Sequence, residues 1–183
     1  MSNFLFRDRF QVAEGHQTMG AMVSVNTPGV TLIEDAPRFW RRVSVGLNNV
    51  VVPITAAQDY GSVAVLDLSD GLWWINGSHA NFSITRDGTG IVAATNVIWS
   101  MGKAAAFSAP LTGTMADIRA VETFSVDVLT DSVDTAKVGG NFTAAFAAVS
   151  NSVYLNFNAT LTVDGSVTVN GNLDLFMYSF ERP

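Results

Sequence analysis

The chain contains no cysteine, which at once excludes a disulfide framework, a thiolate zinc site and a cysteine nucleophile. It is also poor in charge: Asp, Glu, Lys and Arg make up 14% of its 183 residues, against about 25% in ordinary soluble domains. Basic residues are the scarcer kind, ten against sixteen acids, for a formal charge of −6. Their dense groups, Arg7 with Arg9 and Arg38 with Arg41 and Arg42, do not make the basic face that binding to phosphates demands, so no nucleic-acid partner is expected. No membrane partner is expected either. The longest uncharged run, 138–163, is broken by Gly139, Gly140, Asn141, Asn151, Asn156 and Asn158, which hydrocarbon would not accept. The opening "MSNFLFRDRF" lacks the long apolar stretch and small-residue cleavage site of a signal peptide.

Groups able to exchange protons or attack at neutral pH are equally few. The two histidines are His16, in a glycine-flanked stretch, and His79, in "NGSHANFS" beside a turn; neither belongs to an HExxH or similar metal motif. No GxSxG elbow exists, and Gly88-Thr89-Gly90 lacks the third glycine and following helix of a dinucleotide fold. Asp67 and Asp70 in "DLSDG" suggest a sugar or calcium contact, but the EF-hand spacing is missing and Asp-Gly is what a turn alone requires. Asp127, Asp131 and Asp134 raise the calcium idea more weakly. The expectation is no enzyme, no cofactor and no metal.

What the chain does have is period-two alternation, with hydrophobic residues at 48%. "AMVSVN" (21–26), "RRVSVGL" (41–47), "GSVAVLDL" (61–68), "HANFSITR" (79–86) and "ETFSVDVLT" (122–130) read as strands, and "GIVAATNVIWSM" (90–101) as a buried one. Pro28-Gly29, Asp70-Gly71, Asp87-Gly88, Gly139-Gly140 and Asp164-Gly165 punctuate them. "TMADIRAV" (114–121) predicts a short helix capped by Thr114, while Phe142, Phe146 and Val149 fit either period and leave 141–149 open. About eight strands in one domain predict an all-β fold, a single jelly-roll-type β-sandwich over 21–183. Residues 1–20 differ. Phe4, Leu5, Phe6 and Phe10 interleave with Arg7, Asp8 and Arg9, a pattern of either a first strand or an extended N-terminal arm docking on a partner; the expectation is the arm.

The most regular stretch, "YLNFNATLTVDGSVTVNGNLDLFMYSF" (154–180), alternates apolar residues with Asn, Thr and Ser. Asp164-Gly165 reads there as a two-residue hairpin turn. Asn170-Gly171 reads as a bulge inside one long strand, because Val167, Val169, Leu173 and Leu175 keep one parity through it. Of the four tryptophans, Trp73 and Trp74 are adjacent. Neighbours on a strand face opposite ways, so one of the pair is expected at a surface or interface. Sequons occur at Asn76, Asn81, Asn141 and Asn158; a chain this rich in Asn, Ser and Thr produces them by chance.

Two stretches, "AAQDYGSVAVLDLSDGLWWINGSHANFSITRDGTGIVAAT" and "VYLNF" followed by "TLTVDGSVTVNGNLDLFMYSF", together resemble the jelly-roll decoration, or cement, proteins of tailed-bacteriophage capsids. Trp73-Trp74 departs from the aliphatic pair such a protein would carry there. The resemblance implies a non-enzymatic virion protein, a homotrimer that binds the major capsid protein on the outside of the head and is made in the bacterial cytoplasm, where an absence of cysteine is no handicap. The expected contact residues are Phe4, Phe6, Arg7, Arg9, Phe10, Trp73 and Trp74. The tryptophan pair also suits an alternative, a carbohydrate- or receptor-binding β-module of a tail fibre or spike.

Overall fold

The computed structural model describes residues 23–24, 26–35, 41–68, 72–92, 95–124, 130–138 and 151–180. These form ten strands: β1 (Val23–Ser24), β2 (Val30–Asp35), β3 (Arg41–Ile54), β4 (Tyr60–Leu68), β5 (Leu72–Arg86), β6 (Val97–Gly102), β7 (Arg119–Phe124), β8 (Thr130–Val138), β9 (Asn151–Asn158) and β10 (Gly165–Phe180). They make two five-stranded sheets, ordered β1-β4-β9-β6-β7 and β2-β3-β10-β5-β8, and every paired neighbour is antiparallel. The pairs β3·β10, β4·β9, β5·β8 and β6·β7 are those of one long hairpin rolled on itself. That is the jelly roll, with β1 and β2 each added to the edge of one sheet. The expected all-β sandwich is present; the arm at 1–20 lies outside the described residues.

Alternation sends one set of side chains between the sheets. Val43, Val45 and Leu47 of β3, Phe82 and Ile84 of β5, and Val167, Val169, Leu173 and Leu175 of β10 meet Val63, Leu66, Trp99, Leu155 and Phe157 in one buried core. At its centre Phe82 of one sheet meets Trp99 of the other edge-on, with ring centroids 4.8 Å apart, and Phe124 lies 5.9 Å from Phe82. Cross-sheet aromatic contact of this kind contributes about 0.5–1.5 kcal/mol beyond the area it buries.

The long strand at the C-terminus is continuous, as its parity implies, and the register shifts between Val169 and Gly171. The extra residue belongs to β3. There Asn48 and Asn49 stand opposite the single Asn170, Asn49 adopts φ +52°, and its N–H donates to Asn170 Oδ1 at 2.8 Å. That bulge flips the parity of β3 from Val45 and Leu47 to Val50 and Val52, which is why the alternation read from sequence ended at 47. Gly171, at φ +141°, sits where a Cβ would come 2.4 Å from the Asn81 carbonyl oxygen.

Other sequence expectations are overturned. Asp164-Gly165 is no hairpin turn, since β9 and β10 lie in different sheets; residues 159–164 cross from one sheet to the other, and Asp164 Oδ1 accepts from the Ala56 N–H. "ETFSVDVLT" is not one strand, because β7 ends at Phe124 in one sheet and β8 begins at Thr130 in the other. The 114–121 helix is only a 3-10 turn at Gly113–Met115, and Thr112, without a side-chain cap bond, precedes it. In 90–101 the strand starts only at Val97. Before it, Asp87 Oδ1 accepts from the Thr89 and Ile91 N–H groups and Oδ2 from Ser166 N–H. Burial raises the Asp87 pKa, but those backbone donors outweigh it and hold the carboxyl below its ordinary range.

Candidate functional site

The two outer faces of the sandwich are its broad surfaces, and they differ. Across the β1-β4-β9-β6-β7 sheet lies the chain's own 103–118 segment. Asn156, on the outward row of β9 and 0% exposed, donates from Nδ2 to the carbonyls of Ala104 (3.0 Å) and Met115 (2.8 Å). Ser100 Oγ donates to the Met115 carbonyl at 2.7 Å, and the Ala106 N–H donates to Ser62 Oγ at 2.6 Å. The base of the segment is closed by Lys103, whose N–H and Nζ both reach Asp117, at 3.0 and 3.1 Å. Leu111, Met115 and Ile118 of the segment itself are buried.

No described segment crosses the outer face of the β2-β3-β10-β5-β8 sheet. Its rows follow from the register: Ile33, Ser44, Asp174 and His79 side by side on β2, β3, β10 and β5; Gly46, Asn172 and Asn81 in the next; and Val51, Thr168 and Thr85 farther along. Ile33, Val51 and Phe176 are 71%, 57% and 38% exposed. Arg42 Nη2 donates to Asp174 Oδ2 at 2.8 Å, and Ser44 Oγ donates to Asp174 Oδ1. Burial pushes the Asp174 pKa up, but the hydrogen bonds from Arg42 and Ser44, with the charges of Arg42 and His79, outweigh it and hold the carboxyl below the usual range.

Serine, aspartate and histidine thus share a row, but in an order that does not make a nucleophile. A catalytic serine gives its proton to a histidine that the acid orients. Here the carboxylate stands between the other two and takes the serine hydrogen bond itself. Among the described residues no three of His, Asp and Glu converge as a metal site would need. What the face offers instead is a sheet surface of short polar residues with a few apolar side chains exposed on it.

Of the residues expected to meet a partner, Phe4, Phe6, Arg7, Arg9 and Phe10 lie outside the described residues. Trp73 and Trp74 open β5, their backbones paired with Ser179 and Tyr178 of β10; their side chains are likewise outside the description. Trp99 is core. Asp67 accepts from Ser152 Oγ across β4 and β9, a structural use; Asp70 and Asp127 lie outside the described residues. Among the sequons, Asn158 is buried, with Nδ2 donating to the Asp59 carbonyl at 2.7 Å. Sequence reading did not find Arg42 with Asp174, which are 132 positions apart, nor the tie made by Asn156; strand register reveals the first, and the path of the 103–118 segment the second.

No family model matches the chain, and no curated protein matches it. Among solved structures there is a likeness to the N-terminal CBM22-1–GH10 modules of endo-1,4-β-D-xylanase 10B from Clostridium thermocellum, determined with xylohexaose. The identity is 12% over 87% of this chain and 26% of that one, so the match spans about a quarter of that structure, and the TM-score is 0.22. A likeness that slight transfers nothing from the xylanase to this chain.

Proposed function

We propose that this chain is a non-enzymatic structural protein of a tailed-bacteriophage virion, a decoration protein that binds the major capsid protein on the outside of the head, self-associates as a homotrimer and is made in the host cytoplasm. The observation that carries the reading is where the polar residues go. Asn156 and Asn158 tie loops to strands. Asp59 accepts from Leu161 N–H, Asp164 from Ala56 N–H, and Asp87 from three backbone groups. Each fixes the chain's own backbone, as a rigid scaffold requires. The jelly-roll strand order and the resemblance of the 56–95 and 153–180 stretches support the same reading, and the low charge suits a surface covered by neighbours.

Purified heads of the phage that encodes the chain test it. The protein should be present in fixed stoichiometry, and heads stripped of it should rebind the full chain but not a chain lacking residues 1–12. Absence from the heads overturns the reading; rebinding by the truncated chain removes the arm from it. A glycan screen decides against the sugar-binding alternative if no glycan is bound in a manner that Trp73→Ala or Trp74→Ala abolishes.

A further inference from the structure

We infer that one water molecule is built into the seat of the 103–118 segment, held between Asn156 of β9 and Ser62 of β4. Asn156 is buried and spends both amide protons on the segment, on the Ala104 carbonyl at 3.0 Å and the Met115 carbonyl at 2.8 Å. That fixes which way the amide points, because the opposite setting would turn its oxygen on two carbonyls and lose both bonds. The oxygen, Oδ1, is then buried and meets no donor among the described residues. A buried acceptor left so is costly, and native folds meet such groups with ordered water.

The neighbours of Oδ1 decide where the water sits. Strand register sets Ser62 and Ser100 on either side of Asn156 in one outward row. Ser100 Oγ gives its proton to the Met115 carbonyl, the same carbonyl that an Asn156 amide proton serves, so the β6 side is satisfied. On the β4 side Ser62 Oγ accepts from the Ala106 N–H at 2.6 Å, which leaves its own proton to give. Side chains opposite one another on paired strands have Cβ atoms about 4.5–5.5 Å apart, and Ser62 makes no direct bond to Oδ1. A water spans a separation of that kind. It accepts from Ser62 Oγ and donates one proton to Asn156 Oδ1, and the Ala104 carbonyl, which has a second lone pair, suits the other. The bridge thereby joins β4, β9 and the overlying segment through one shared group.

A high-resolution crystal structure of the full chain tests this. Density should stand about 2.8 Å from both Asn156 Oδ1 and Ser62 Oγ. An empty position, or a direct bond from Ser62 Oγ to Oδ1, overturns the inference. So do contacts of about 2.3–2.6 Å, which mark a bound cation. Oxygen-17 relaxation dispersion of the solvent, which counts long-lived internal waters, repeats the test in solution. Asn156→Leu keeps the volume of the side chain and removes the acceptor, so the dispersion should fall by the share of one water. Asn172→Leu, on the exposed row of the other sheet, should leave it unchanged. Dispersion that Asn156→Leu does not reduce, or that Asn172→Leu reduces as much, also overturns the inference. Should Asn156→Leu release the segment, seen as lost protection of the Ala104 amide that donates to the Thr114 carbonyl, the wild-type crystal decides alone.

Discussion

Across the outer face of the β1-β4-β9-β6-β7 sheet the chain lays its own 103–118 segment, whereas the outer face of the β2-β3-β10-β5-β8 sheet has no described segment upon it. Both faces grow from the same alternation of apolar and short polar residues. On the covered face an outward asparagine, Asn156, is wholly buried and holds two carbonyls of the overlying segment. On the open face an outward asparagine, Asn172, is exposed. Identical chemistry at equivalent strand positions therefore supports the fold in one place and merely solvates it in the other. The difference lies in backbone that arrives from elsewhere in the chain, which strand periodicity does not encode.

The sharpest break in that symmetry comes from two glycines. Gly102 ends β6 beneath the segment, and a Cβ there would meet the Thr114 carbonyl oxygen at 2.2 Å and the Met115 carbonyl carbon at 2.4 Å. The Met115 carbonyl is held by Asn156 and Ser100 and the Thr114 carbonyl by the Ala104 N–H, so these backbone atoms cannot step aside without releasing the segment. Gly46, on the open face, would present its Cβ to Thr31 Oγ1 at 2.5 Å, the end of a side chain free to rotate away. Gly102→Ala should therefore cost about 2–4 kcal/mol, and Gly46→Ala should stay within about 1 kcal/mol of zero, its small clash set against the lower entropy of the unfolded chain. Urea midpoints at constant m-value measure both; equal losses would mean that the 103–118 segment does not press on its sheet.

The asparagines give a second, smaller contrast. Asn156→Ala removes two hydrogen bonds; the Met115 carbonyl keeps the one from Ser100 Oγ, and the Ala104 carbonyl loses the one from Asn156. At about 0.5–1.5 kcal/mol for each bond, the loss should be about 1–3 kcal/mol. Asn172→Ala, on the exposed row, should fall within about 0.5 kcal/mol. Hydrogen exchange sharpens the result. In Asn156→Ala the Ala104 and Met115 amides, bonded to the Thr114 and Thr112 carbonyls, should lose protection while those of β10 keep it.

These contrasts also mark how far the sequence could be read. The strand at 60–68, the turn at Pro28-Gly29 and the unbroken run through Asn170-Gly171 were legible, because parity and turn residues are local. The left-handed Asn49 was not legible, since Asn48-Asn49 reads as polar filler until the register with β10 reveals the extra residue. Asp164-Gly165 misled for a different reason: a turn dipeptide between two strands says that the chain bends, not whether the second strand stays in the same sheet. The helix expected over 114–121 failed because Met115 and Ile118, at helical spacing, are buried by the segment's packing against the sheet rather than by a helical stripe; tertiary contact overrode local pattern. On the open face the exposed positions are visible one strand at a time, but the Arg42–Asp174 ion pair needs two strands brought together from opposite ends of the chain.

The smallest expected effect concerns that ion pair. Asp174 is held below the ordinary carboxylate range: burial works against this, and the hydrogen bonds from Arg42 and Ser44, with the charges of Arg42 and His79, prevail. A carboxyl whose folded pKa lies below its unfolded value of about 3.9 contributes stability that is fully present above that value and is lost as pH falls through the folded one. Arg42 is 47% exposed, so solvent screening limits the contribution to at most about 1 kcal/mol. Asp174→Asn should thus lower the urea midpoint slightly at pH 7, and the gap to the wild type should close as the pH is taken below about 4. The sign matters more than the size. If the gap instead stays constant with pH, Asp174 acts through shape alone, and its pairing with Arg42 contributes nothing to stability.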